Sequence, residues 1–350
     1  MPERKYSEQV NIDNALKLRE LLKQMPAFAS DYFRAIEPTT QSRTRIAYAY
    51  DMIVFFKFLK ENNPALKDKD IRDIKISILD DLRAVDIEEY MDYLKYYNKG
   101  DKERVNTETG IKRKLVALRG FYKYYYKREL ITNNPTVLVD IPKLHEKEIV
   151  RLDSDEVETL LNDVETGEGL SGRAEKFHGK TAVRDLAIVT LMLGTGIRVS
   201  ECVGLDINDV DFKNSGIRIH RKGGKEVSVY FGEEVEDALS LYLDERRKID
   251  ALPGSENALF LSLQKKRINV RSVENLVKKY ARTVTTLKKI TPHKLRSTYG
   301  TSLYKETGDI YLVADVLGHK DVNTTKKHYA AIDEDRRKSA ADKVTLRKGN

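Results

Sequence analysis

Apolar residues recur every three or four positions along most of this sequence, a period that commits the chain to a mainly helical fold. From Thr39 onward, Ile46, Ala49, Tyr50, Ile53 and Phe56 trace one helical face, which Asn62-Asn63-Pro64 ends. Tyr90, Leu94 and Tyr97 mark a shorter helix over 87–97. Ile111, Leu115, Leu118, Tyr122 and Tyr125 mark a longer one that starts near Thr107. Further helices are predicted over 184–193, 235–247 and 270–284. One stretch breaks the period. Ile217 and Ile219 alternate with Arg218 and His220, and Val227 and Val229 alternate on the way back. Lys222-Gly223-Gly224-Lys225 lies between them, so a β-hairpin with a lysine-bearing tip is expected. The fold class is mainly α with a small β-hairpin (α+β).

Asn133-Asn134-Pro135 stops the helix that starts near Thr107, and little periodicity follows up to about residue 149. Leu152-Asp153-Ser154-Asp155-Glu156 then carries a helix-capping signature. A chain of 350 residues is long enough for two domains. The expected organisation is an arm or short amphipathic helix over 1–28, a helical domain over 29–134, a linker over 135–149 and a second domain over 150–350. Residues 166–180 read as a loop. The formal net charge of +8 favours a polyanionic partner. The single cysteine, Cys202, excludes a disulfide framework and reads as a core residue. The N-terminus lacks an apolar signal region. The longest apolar run, 186–193, is too short to span a bilayer, so a cytoplasmic protein with no membrane partner is expected.

The chemistry concentrates in the last sixty residues. Thr291-Pro292 reads as a helix start with a hydroxyl cap, because proline is tolerated at the first helical position. His293 and Arg296 then fall three apart, on one face near an N-terminus that favours anions. Leu295, Tyr299 and Leu303 fall on the opposite side and would anchor that helix. A second helix is expected from Asp309, burying Ile310, Val313 and Leu317, with Gly318 as its stop and His319 just beyond. Ten residues after His319 comes Tyr329, preceded by Lys326, Lys327 and His328. Two histidines, an arginine and a basic-flanked tyrosine suit phosphoryl chemistry that needs no metal. The acidic clusters at 206–211 and 333–335 lack the ligand pattern of a two-metal nuclease.

These residues resemble the tyrosine recombinase (phage integrase, Xer-type) family, whose C-terminal box has the form H-x-x-R, L-G-H, then Tyr. The family's upstream box is matched by Gly194-Thr195-Gly196-Ile197-Arg198-Val199-Ser200-Glu201, and its hairpin lysine box by Arg221-Lys222-Gly223-Gly224-Lys225-Glu226. One departure stands out. The family usually places its tyrosine nine residues after the L-G-H histidine, where this chain has His328. Tyr329 is the only tyrosine between His319 and the C-terminus, which a one-residue insertion explains.

The resemblance implies a helical core-binding domain and a catalytic domain that together form a C-shaped clamp on DNA. It assigns Arg198 and Arg296 to the scissile phosphate, a role suited to a planar guanidinium that stays charged. His293 and His319 would donate further hydrogen bonds, with His293 as the base toward the nucleophile Tyr329. Lys222 would protonate the leaving 5′ oxygen; Lys225 has a similar location, and Glu201 would orient its neighbours. The product would be a 3′-phosphotyrosine formed without ATP, metal or other cofactor. Beside these boxes, the basic positions Lys112, Arg113, Lys114, Arg119 and Lys123 are expected to contact DNA, while Tyr122 and Tyr125 fall to the core. The implied partners are a double-stranded recombination site and a homotetramer spanning two such sites, alone or with a partner recombinase. A short apolar stripe in the tail (Ala340, Val344) would dock on the neighbouring protomer. Two other readings are a catalytically inactive DNA-binding relative and a DNA-relaxing enzyme of the type IB topoisomerase kind.

Overall fold

A computed structural model describes residues 6–99, 101–143, 150–221, 225–319 and 321–322. The chain divides into two compact units, Met1–Lys147 and Glu148–Asn350.

The first unit holds α1 (Tyr6–Leu22), α2 (Ala29–Ala35), α3 (Ser42–Asn62), the short α4 (Ile78–Asp81), α5 (Ala84–Lys95) and α6 (Glu108–Lys127). The five apolar positions predicted for α6 are all buried, and they meet Phe55, Phe56 and Leu59 of α3 in one cluster. Removing that area from water is the main term holding the helices together. Tyr50, placed on the α3 core face by its spacing, is instead exposed, and Met52 and Phe55 take the interior. Most of the expected arm over 1–28 is helical from Tyr6 on: α1 packs along α3 and buries Leu18 and Leu21 in the same core. At the other end, Arg119 donates to the carbonyls of Thr136 (2.9 Å) and Val139, so the start of the expected linker is held against α6.

Two features here differ from the sequence expectation. The helix over 87–97 ends at Lys95, and the chain turns into an antiparallel hairpin of β1 (Tyr96–Lys99) and β2 (Lys102–Val105). The basic face of α6 is also partly an internal face. Lys114 is only 7% exposed; its Nζ donates to Asn106 Oδ1 at 3.1 Å and lies 3.8 Å from Asp51. Arg113 forks onto both oxygens of the same buried Asp51. Buried charges need partners, and Lys114 and Asp51 find theirs in each other and in Arg113, whose own side chain stays 47% exposed.

The second unit is built around α9 (Ala182–Thr195), which is apolar almost all round and therefore central. Around it pack α7 (Ser154–Thr166), α11 (Glu233–Arg246) and α13 (Pro292–Thr307). The other α-helices among the described residues are α8 (Arg173–His178), α10 (Val199–Cys202), α12 (Val270–Val284) and α14 (Ile310–Leu317). A three-stranded antiparallel sheet runs β3 (Val210–Asp211), β4 (Gly216–His220), β5 (Glu226–Tyr230), with Ile217 opposite Val229 and Ile219 opposite Val227. The predicted alternation is therefore the observed register. The 166–180 stretch is not wholly a loop. It contains α8, and His178 Nε2 lies 2.9 Å from the Val164 carbonyl, tying it back to α7. Cys202 is fully buried, and burial pushes its thiol up to about 12, which suits a core residue and not a nucleophile. Among the described residues no helix is long and apolar enough to cross a membrane.

Candidate active site

Four helix ends position the site. α9 stops at Gly196, whose φ of +62° is left-handed and favours glycine. The space is as demanding as the backbone: a Cβ there would stand 2.4 Å from Tyr299 Cδ1 and 2.9 Å from Leu317 Cδ2. α9, α13 and α14 thus meet at a point where no side chain fits.

Arg198 is the residue before α10. The Glu201 carboxylate accepts from its backbone N–H at 2.8 Å and, through the other oxygen, from Nη1 at 2.8 Å. One buried carboxylate therefore caps α10 and aims the arginine, which gives the expected supporting role of Glu201 a geometry. α13 begins at Pro292, as its sequence predicts. Thr291 occupies the cap position, where its carbonyl accepts from Lys294 N (2.7 Å) and Leu295 N (3.1 Å). Its hydroxyl makes no capping bond. His293 stands exposed in the first turn, and Arg296, one turn later, is only 5% exposed. Arg296 donates to the carbonyls of Gly196 (2.6 Å) and Leu317.

α14 ends as expected at Gly318, with φ +63°. Its N-terminus is capped by Asp309, which accepts from Tyr311 N (2.8 Å) and Leu312 N (3.1 Å). At its C-terminus four consecutive carbonyls are met by three arginines from three different elements. Arg221 donates to Asp315 (3.3 Å) and Val316 (2.6 Å), Arg296 to Leu317, and Arg198 to Gly318 (3.3 Å). The negative end of a helix dipole attracts cations, and the last turn leaves carbonyls that lack intrahelical donors. The three guanidiniums answer both demands. His319 follows directly, half-buried, with its N–H donating to the Ala314 carbonyl at 2.8 Å.

The structure thus gathers Arg198, Glu201, Arg296 and His319, with His293 one turn from Arg296. Lys225 is exposed beside the hairpin, where its carbonyl accepts from Arg221 N at 2.8 Å. Lys222, Tyr329 and the tail lie outside the described residues. Of the basic positions on α6, Lys123 is exposed and Lys112 half-buried; Arg113 is exposed although it pairs with Asp51, and Lys114 and Arg119 are engaged internally. Sequence reasoning gave Arg221 no role. It stands inside the lysine box, but only its contact with α14, distant in sequence, reveals what it does.

Residues 150–336 match the profile of the Phage integrase family. The chain is 33% identical over 342 residues to tyrosine recombinase XerC of Caldanaerobacter subterraneus subsp. tengcongensis, covering 95% of this chain and 90% of that protein. It is 32% identical over 357 residues to tyrosine recombinase XerS of Streptococcus pneumoniae (strain CGSP14), covering 94% and 97%. Among solved structures it shares its fold with XerH recombinase in a post-cleavage complex with a palindromic difH substrate. The TM-score is 0.63 at 21% identity, over 86% of this chain and 80% of that one. It also shares the fold of the Tn1549 transposon integrase bound to circular-intermediate DNA (TM-score 0.62, 20% identity, covering 87% and 95%). With these likenesses running the length of the chain, and the arginine–histidine cluster inside the matched region, the protein belongs to the phage integrase family of tyrosine recombinases.

Proposed function

We propose that this protein, a site-specific tyrosine recombinase, cuts and rejoins double-stranded DNA through a phosphotyrosine formed on Tyr329. The observation that carries the reading is the convergence of Arg198 and Arg296 on adjacent carbonyls at the end of α14, one residue before His319. Two guanidiniums held side by side supply fixed positive charge where a five-coordinate phosphorus would place negative charge on its non-bridging oxygens. Arg198 keeps its side chain 40% exposed, so it can reach a phosphate while Glu201 holds it.

The step balances without an external co-reactant. The Tyr329 oxygen bonds to phosphorus as the bond from phosphorus to the 5′ oxygen breaks. The phenolic proton passes to a base, the role given to His293, and Lys222 protonates the departing 5′ oxygen. The 3′-phosphotyrosine retains the ester linkage, so a 5′ hydroxyl of another strand reverses the step and no ATP is used. A homotetramer on two DNA sites, acting in the cytoplasm, is the proposed working assembly.

Covalent capture on a nicked recombination site tests this. Tyr329→Phe should bind the site and form no SDS-resistant adduct, while His328→Ala and wild type form one, in EDTA as well as without it. An adduct that survives loss of the Tyr329 hydroxyl would place the nucleophile elsewhere.

A further inference from the structure

We propose that Arg221 is a positioning residue for His319, acting through the C-terminus of α14. The inference rests on the reading of His319 as a phosphate contact. Arg221 leaves β4 just before Lys222 in sequence, yet its guanidinium is committed to α14, with Nη1 and Nη2 on the carbonyls of Asp315 and Val316. It also lies flat against Gly318: a Cβ on that residue would stand 2.4 Å from Nη1 and 2.6 Å from Cζ. Gly318 is therefore demanded twice, by its left-handed backbone and by the guanidinium that covers it. The arginine's Nε–H is buried without a hydrogen-bond partner among the described residues. A side chain serving only to solvate the surface would have no reason to accept that.

The consequence for His319 is geometric. Its N–H is bonded to Ala314, inside the turn whose next four carbonyls the three arginines hold. Arg198 and Arg296 fix the Leu317 and Gly318 carbonyls but are themselves the proposed phosphate ligands. Arg221 fixes the turn before them and has no assigned part in the chemistry. It is the member of the trio that can hold the helix end still while the other two engage DNA.

The test uses the full-length protein and the nicked DNA site, reading single-turnover adduct formation, DNA affinity and melting temperature. Arg221→Ala should bind DNA like wild type and cleave roughly ten- to a hundredfold more slowly, the scale expected when a reacting group is misplaced by about an ångström. Arg221→Lys, which keeps a cation at the helix end but loses the fork, should recover part of the rate. In a His319→Ala background the Arg221→Ala change should cost almost nothing more, because a residue acting through another has no effect once that other is gone. Wild-type cleavage by Arg221→Ala overturns the proposal, as do rate losses that multiply in the double variant. If Arg221→Ala does not fold, Arg221→Gln, which keeps a donor, takes its place both alone and in the His319→Ala background. A wild-type protein that forms no adduct would sink the recombinase step itself. Wild-type cleavage with Arg221 variants unaffected would sink this inference alone.

Discussion

Arginine donors to backbone carbonyls occur in both units of this protein, and one arrangement from each differs in what it converges on. In the first unit Arg119 ties one passing segment, residues 136–139, to α6. In the second, Arg198, Arg221 and Arg296 arrive from three elements at one helix end. A single tether requires nothing beyond a carbonyl within reach. Three guanidiniums in one place repel each other, and the arrangement persists because a helix C-terminus, a buried Glu201 and the Gly196 carbonyl offset that repulsion. An arginine on a carbonyl is therefore no sign of function by itself; the function we propose rests on the convergence of several on one helix end.

The largest expected effect breaks the comparison at the cluster. Arg198→Lys keeps the charge but loses the fork that spans Glu201 and the Gly318 carbonyl. Cleavage should fall roughly a hundred- to a thousandfold, the usual loss when one preorganised donor is removed from a transition state. DNA affinity should change little, and the melting temperature should stay near wild type because Arg198 is part-exposed. Loss of affinity in step with loss of rate would make Arg198 a binding residue and remove the distinction between the clusters.

The next effect is on stability. Arg119→Ala loses two charge-assisted hydrogen bonds and should cost about 2 kcal/mol, measured by denaturant unfolding. Lys114→Met should destabilise by roughly 1 kcal/mol, since Asp51 keeps Arg113 as its partner. Neither should alter the salt dependence of DNA binding. Lys123→Ala should do the reverse, leaving unfolding unchanged and lowering the salt slope by about 1 if it contacts a phosphate. A lowered salt slope in Lys114→Met would return that residue to the DNA-facing set.

These contrasts explain which parts of the molecule could be read from sequence. Helix ends marked by local chemistry were legible: Pro292, Asp309 and Gly318 each do at their own position what their type implies, whereas α9, expected over 184–193, runs on through Thr195. The Ile217/Val229 hairpin was legible because a period of two has one cheap solution. Arg198, Arg296 and His319 were legible as motif members, and their convergence follows from the helix ends that carry them. The β1–β2 hairpin was missed because Tyr97 continues the helical spacing of Tyr90 and Leu94, although Lys95 is the last helical residue. α8 was missed because six residues behind Gly167, Gly169 and Gly172, all at positive φ, show no periodicity of their own. Lys114 was misplaced because a long amine on a basic face looks like its neighbours; what draws it inward is Asp51, some sixty positions away in sequence. Arg221 needed a partner at nearly a hundred positions' distance.

The smallest effect concerns a cation in the second unit that is spent on the fold. Lys288 donates to Asp153 (2.9 Å) and Glu156 (2.6 Å) in the first turn of α7 and the residue before it. The hydrogen bond from Lys288 holds the Asp153 carboxyl below the usual range, and the bonds to Glu156 and then Asp153 raise the Lys288 ammonium above its own. For Asp153 the folded value lies below the unfolded one of roughly 3.9, so its contribution is complete above that pH and is lost as pH falls through the folded value. For Lys288 the folded value lies above the unfolded one of roughly 10.4, so its contribution is complete below that pH and is lost as pH rises through the folded value. The tether should therefore be flat between about pH 5 and 9 and fade at both ends. Asp153 is mostly exposed, which keeps the effect under about 1 kcal/mol after solvent screening. Asp153→Asn should lower the melting temperature slightly at pH 7, and the gap to wild type should close as the acid limb is reached. Its cleavage rate should match wild type throughout. A rate loss in Asp153→Asn would mean that tethers outside the cluster also set the chemistry, and the contrast between single tether and convergent cradle would no longer separate fold from function.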